Sequence, residues 1–340
     1  MRDLGDRLRG RGRRGRGPGD GPRGPAGDEH PALDAADHPE EVYPEDLPAG
    51  DEHRAPEDAP RRRRSRAGVG SRLASGGGLA SRVLVAVPGI AVTVALVVVG
   101  GVLFAAALCL LVVLALYEFY SLTAASRPLR WAGYLGAVGA VVLAAVLTSP
   151  ERGVLIAVGA GLGLVAVAGL ILPRRDDVTG RMAVTAFGLL YVGVPFGLLM
   201  ATRELPNGAA AVANVLVGTW VFDTASFAGG KLWGRRRIAP RTSPGKTLEG
   251  LLTGVVVGTL AVGVAGLYMD WISGWQSLVV GVCICLAGFV GDLFESMLKR
   301  DVGAKDSGRL LMGHGGVLDR FDALMFSTVA AYFVTVALVG

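Results

Sequence analysis

From Val83 to the end of the chain, apolar runs of roughly 18 residues or more follow one another with only short polar breaks. About 20 residues of helix cross a hydrocarbon core ~30 Å thick. Inside that core every backbone N–H and C=O must find its partner within the protein, and a helix does this locally. Nine spans are expected, near 83–100, 101–120, 131–148, 153–172, 182–202, 209–228, 247–269, 276–298 and 319–339. The first two are nearly fused at Gly100-Gly101, the least sharply marked of the boundaries. The expected fold class is therefore all-α, a polytopic integral membrane protein with about nine transmembrane helices.

Residues 1 to 80 are of another kind. They hold an Arg/Gly block, an acidic Pro-rich block and a basic run from Arg61 to Arg66, with almost no aliphatic stretch. Blocks of like charge and low hydrophobicity predict a disordered charged tail. No apolar segment follows the basic first sixteen residues, so a secretory signal peptide is not expected. Residues 81 to 340 form the membrane domain. Its loops on the tail's side carry sixteen Lys and Arg, against Arg152 and Arg203 on the other side. The positive-inside bias then predicts a cytoplasmic tail and, with nine spans, a C-terminus outside, in the cell's inner (plasma) membrane. The same placement accounts for the net charge of +5 without a nucleic-acid partner. Cys109, Cys283 and Cys285 lie in apolar runs with no further Cys or His nearby, which argues against a zinc site or a disulfide framework.

Thirty arginines stand against four lysines, and Lys231, Lys246, Lys299 and Lys305 all fall on the cytoplasmic side of the last four spans. Three polar clusters share that side, between residues 220 and 322. The first contains Asp223, an acid within or at the end of a span, where charge is costly unless paired or wet. In the second, Ser243-Pro244-Gly245-Lys246-Thr247 opens span seven. A helix N-terminus with Gly, Lys and Thr attracts anions, but the spacing is not that of a P-loop. A phosphate cradle and a plain capped helix start are both open readings there.

The third cluster runs from Gly291 to Asp322. At 100° per residue Asp292, Glu295, Ser296 and Lys299 share one helix face, and Asp319 and Asp322 lie three apart at the start of span nine. Carboxylates converging without Cys or His suit a hard cation such as Mg²⁺. Basic groups among them suit phosphate oxygens. A cation-coupled transporter is the rival from another class, but it would place its acids near the midplane of two matching halves. The DGxxAR pattern of CDP-alcohol phosphotransferases is absent, and a non-catalytic scaffold would not need such a density of polar groups.

The spaced set Ser296, Lys299-Arg300, Lys305-Asp306, then His314-Gly315-Gly316 and Asp319-Arg320-x-Asp322, closely resembles the C-terminal signature of the phosphatidate cytidylyltransferases (CDP-diacylglycerol synthases). Asp223-Thr224, Ser243-Pro244-x-Lys246-Thr247 and Gly291-Asp292-Leu293-x-Glu295-Ser296 are similar to that family's other blocks. Met312 stands where the family usually has Pro, and Leu248 where an aromatic is common; neither removes a charge. The resemblance implies transfer of a cytidylyl group from CTP to phosphatidic acid, giving CDP-diacylglycerol and pyrophosphate, in phospholipid biosynthesis. It implies Mg²⁺ on Asp292 and Asp319, with Asp322 and Glu295 as further ligands. Lys246 and Lys299 join Asp292 and Asp319 as the catalytic set. Asp223, Ser243, Thr247, Ser296, Arg300, Lys305 and Arg320 are implied as substrate contacts, and His314 as a phosphate contact or loop organiser. CTP, phosphatidic acid and membrane lipids are the implied partners, and the family suggests a homodimer.

Overall fold

The computed structural model describes residues 79–171, 177–308 and 315–339. The expected disordered tail therefore lies outside the described residues except for its last two positions, as do Arg174, Arg175, Arg309 and His314.

Helices α1 (Leu79–Val99), α2 (Gly101–Leu122), α3 (Arg130–Val146) and α4 (Pro150–Ile171) form the first half. Helix α5 (Val178–Arg203) leads into the second half, made of α6 (Gly208–Trp233), α7 (Leu248–Gly266), α8 (Gly274–Asp301) and α9 (Leu318–Val339). Among the described residues seven helices are long and apolar enough to cross a membrane. The apolar stretch Pro88–Val99 of α1, and α3, are shorter. The 17 residues of α3 extend about 26 Å at 1.5 Å per residue, so length alone does not carry the expected count to nine. The helical, multi-span architecture itself is as expected. One addition is a hairpin of β1 (Arg237–Ala239) and β2 (Ser243–Thr247), antiparallel, with Arg237 opposite Thr247.

The first two helices are separated by a real break. Gly100 and Gly101 both have positive φ, 64° and 55°, where a Cβ is disfavoured. Arg203, at the end of α5, donates from Nε to the carbonyl of Val97 at 2.7 Å and from Nη2 to that of Val98 at 3.2 Å. A cation thus satisfies the last open carbonyls of α1, at the negative end of its dipole.

The second half is drawn together by small residues. A Cβ on Gly250 would stand 2.7 Å from the carbonyl oxygen of Ser226 and 3.1 Å from the nitrogen of Gly230, so α6 and α7 touch backbone to backbone. Helices α8 and α9 run antiparallel and are stitched along their length. Gln276 donates to the carbonyl of Leu338 at 2.6 Å, and Ser327 to that of Ile284 at 2.9 Å. Further along, Gly291 lies so near the carbonyl of Asp322 that a Cβ there would collide. That crossing sets Asp292 beside the first turn of α9.

Gly100→Ala adds a side chain at positive φ and pushes it into the Arg203 guanidinium, whereas Gly101→Ala meets nothing nearby. The backbone part costs about 1–2 kcal/mol at each position. Gly100→Ala is therefore expected to lower the Tm of the detergent-solubilised protein more than Gly101→Ala does, in paired thermal denaturation. Equal shifts would show that the arginine clamp contributes nothing.

Candidate active site

The β-hairpin folds back on the end of α6 because Glu249 holds it there. Its carboxylate accepts from the backbone N–H of Arg235 at 2.9 Å and of Arg236 at 3.2 Å. Thr247 caps α7, its hydroxyl accepting from the N–H of Gly250 at 3.2 Å. Lys246, one residue earlier on β2, is thereby aimed at α8. Its ammonium pairs with Asp292 at 2.6 Å and lies 4.9 Å from the centre of the Phe289 ring. A cavity of about 360 Å³ opens here, lined by Asp223, Ser226, Phe227, Lys246, Thr247, Phe289 and Asp292 among others. It lies between α6, β2, α7 and α8, its largely apolar lining carrying these few polar groups.

Two turns further along α8 stands the second pair. Lys299 meets Glu295, four residues before it, at 2.6 Å, and Asp319 of α9 at 2.7 Å. Glu295 is only 1% exposed. Asp319 is further held by backbone: Ser307 N–H donates at 3.0 Å and Gly316 N–H at 2.8 Å. One ammonium thus meets two acidic side chains, and backbone N–H groups complete the donors around Asp319.

Beneath that pair lies a rim of aromatic rings. Phe119, Phe187, Tyr191, Phe294 and Phe326 contact one another with centroids 5.4–6.4 Å apart. Tyr191 sits in a π-turn of α5, Leu189–Gly193, an irregularity that re-aims a side chain. An apolar cavity of about 280 Å³ runs beside the rim. Phe119, Leu122, Val184, Phe187 and Leu298 line it, with Glu295 and Lys299 among its few polar groups.

The expected acidic quartet is not gathered as one group. Asp319 and Glu295 turn to Lys299, while Asp292 turns to Lys246. Among the described residues no three His, Cys, Asp or Glu side chains converge as a ready metal cage. Asp322 accepts from the N–H of Ala323 at 2.6 Å and has Asp292 and Asp223 as its like-charged neighbours; Asp223 in turn feels Asp292. Three carboxylates that repel one another, offering only oxygen, fit a hard divalent cation by donor chemistry. Ser243 is half-buried in β2, Ser296 half-buried on α8, and Lys305 and Arg320 are exposed. Arg300 reaches the carbonyl of Ala304 at 3.4 Å.

Two residues escaped the sequence reading. Ser307 gave no signal of its own. Glu118, in α2, is 2% exposed and contacts the loop before α9. The rule that singles out Asp223, an acid within an apolar run, applies equally to Glu118. The glycines at 315 and 316 each have a structural reason. Gly315 needs φ of 83°, and Gly316 packs on Ser307 and Glu118.

The model of a family described as "Cytidylyltransferase family" matches residues 80–338. A phosphatidate cytidylyltransferase of Staphylococcus epidermidis is 30% identical over 251 residues, 72% of this chain and 94% of that protein. One from Synechocystis sp. is 30% identical over 287 residues, 76% of this chain and 96% of that protein. An uncharacterised protein of Escherichia coli, YnbB, is 44% identical over 138 residues, where the match spans 40% of this chain and 46% of that protein.

Removing the shared cation strands two acids. Lys299→Met is expected to destabilise the protein by about 3–5 kcal/mol, the usual cost of breaking a buried pair from one side. Adding Asp319→Asn to it should recover a good part, since the charge stranded on Asp319 is then gone. Thermal denaturation of the two variants in detergent measures both steps.

Proposed function

The chain belongs to the cytidylyltransferase family, and from that membership and the chemistry of its site we infer that it transfers the cytidylyl group of CTP to phosphatidic acid. The products are CDP-diacylglycerol and pyrophosphate. The observation that carries this reading is the pair of lysine–carboxylate contacts, Lys246–Asp292 and Lys299–Asp319, set two turns apart on α8 at one end of the bundle.

The reaction joins two anions. An oxygen of the lipid phosphate attacks the α-phosphorus of CTP, and the bond from that phosphorus to the bridging oxygen of the β-phosphate breaks. The monoester is already a nucleophile and pyrophosphate already a leaving group, so the protein's task is positioning and charge balance. Lys246 faces the roomier and more polar of the two cavities, which suits the triphosphate. Lys299 is among the few polar groups of the apolar cavity, which suits a phosphate whose acyl chain lies along Phe119, Phe187 and Leu298. An arriving phosphate competes with Asp292 for the Lys246 ammonium, which frees that carboxylate, while Asp319 keeps its hold on Lys299. Mg²⁺, when bound, supplies neutralisation of phosphate charge, and Asp292 with Asp322 and Asp223 would hold it. Asp319 and Glu295 are then assigned to orient Lys299. The basic loops support a cytoplasmic site, where CTP arrives from water and the lipid from the leaflet.

Purified full-length protein in detergent is expected to release pyrophosphate from CTP only when phosphatidic acid and Mg²⁺ are both supplied. Lys246→Met and Asp319→Ala should each lower kcat/KM by about 10²–10³-fold, as loss of a charge-stabilising group does. Pyrophosphate release independent of the lipid, or Asp319→Ala at the wild-type rate, would refute the assignment.

A further inference from the structure

Glu118 lies near the end of α2, in an apolar span, with 2% of its surface exposed. An acid so placed is costly unless donors reach it. Its donors come from the far end of the chain. The N–H of Leu318, the first residue of α9, donates to Oε2 at 2.8 Å across 200 positions of sequence. The hydroxyl of Ser307 donates to the same oxygen at 3.2 Å. A carboxylate on one helix thus caps the N-terminus of another, where open N–H groups and the positive end of the dipole favour an anion.

The contact continues into the site. The oxygen of Ser307 that donates to Glu118 also accepts from the N–H of Asp319 at 3.3 Å. The N–H groups of Ser307 and Gly316 both donate to the Asp319 carboxylate, which holds Lys299. The backbone closes tightly around this set: a Cβ on either Gly308 or Gly316 would run into the Glu118 carboxylate. Both described ends of the loop before α9 are therefore seated on Glu118.

We propose that Glu118 is a positioning residue for cytidylyl transfer: it caps α9 in trans, and through Ser307 it fixes Asp319 and hence the Lys299 ammonium. It touches neither substrate, and its role rests on the reading that Lys299 and Asp319 belong to the transfer site. A carboxylate serving only the fold would protect against unfolding and leave the folded enzyme's turnover alone. A positioning carboxylate sets turnover, because a displacement of about 1 Å at a reacting group costs about 10²-fold.

The test uses full-length protein in detergent, with pyrophosphate release measured against CTP concentration at saturating phosphatidic acid. Glu118→Leu removes the acceptor and is expected to lower kcat by about 10–100-fold, the usual effect of losing a group that orients a reacting one. KM for CTP should stay within about threefold, since the triphosphate cavity at Lys246 is untouched. Glu118→Gln keeps an acceptor oxygen of the same reach and should retain kcat within about fivefold. Ser307→Ala should lower kcat as well, and combining it with Glu118→Leu should add little, because both cut the same chain of contacts. Wild-type kcat in Glu118→Leu, equal losses in the Gln and Leu variants, or full additivity with Ser307→Ala would each overturn the proposal. Where Glu118→Leu does not accumulate, Ser307→Ala decides alone: a loss of about tenfold or more supports the capping chain, and wild-type turnover ends it. A wild-type protein without lipid-dependent pyrophosphate release would instead refute the assigned reaction.

Discussion

A lysine ammonium at the edge of hydrocarbon must be neutralised, and most of the polar architecture here follows from how Lys299 meets that demand. Two carboxylates face it, one from its own helix and one from α9. Two acids crowded on one cation repel each other at low dielectric unless further donors reach them. Backbone supplies those donors to Asp319: Ser307 and Gly316 turn their N–H groups to it. The chain before α9 follows a fixed path, with glycine at 315, where φ is positive, and at 316, where Ser307 and Glu118 leave no space.

The first half of the bundle is tied into the same balance. Helix α2 contributes Glu118 to the start of α9, and α5 contributes Tyr191, lifted by its π-turn into the aromatic rim against Phe294 and Phe326. The helices without catalytic signatures are thus the wall on which the signature residues are set. The match to the family likewise extends from residue 80 to 338, while the charged motifs occupy only the last third. The spacing of the proposed site across α8 and α9 depends on what α2 and α5 hold still.

Much of this was legible in the chain, and the reasons differ by residue. The helical, multi-span architecture was legible because hydrocarbon thickness fixes a length. Glu295 and Lys299 were legible as neighbours because helical spacing brings residues four apart together. The partition of the acids was not legible. Whether Asp319 turns to Lys299 or to Asp292 depends on the register of two antiparallel helices, and that register is set by the Gly291 crossing and the Ser327–Ile284 bond. The β-hairpin was hidden for a similar reason, since Glu249 closes it from thirteen and fourteen residues away. Glu118 was hidden only by attention: a single acid among aliphatics looks minor until its partners are in place.

Length also explains why the chemistry belongs at a surface and not at the midplane. Helix α8 has 28 residues, about 42 Å at 1.5 Å per residue, against a core of about 30 Å. If its apolar start at Gly274 marks one boundary, about 20 residues later the helix has reached the other, near Phe294. Lys299 then stands beyond the hydrocarbon, at headgroup level, and Asp292 at its margin. Helix α6, with 26 residues, overshoots in the same way and carries Asp223 toward that margin. Two long helices protruding on one side, with the hairpin between them, make a polar shelf directly above an apolar wall. A water-soluble triphosphate can reach such a shelf without crossing hydrocarbon. A lipid phosphate can reach it without leaving the leaflet. A midplane site would satisfy neither substrate, and a site on a soluble domain would satisfy only one.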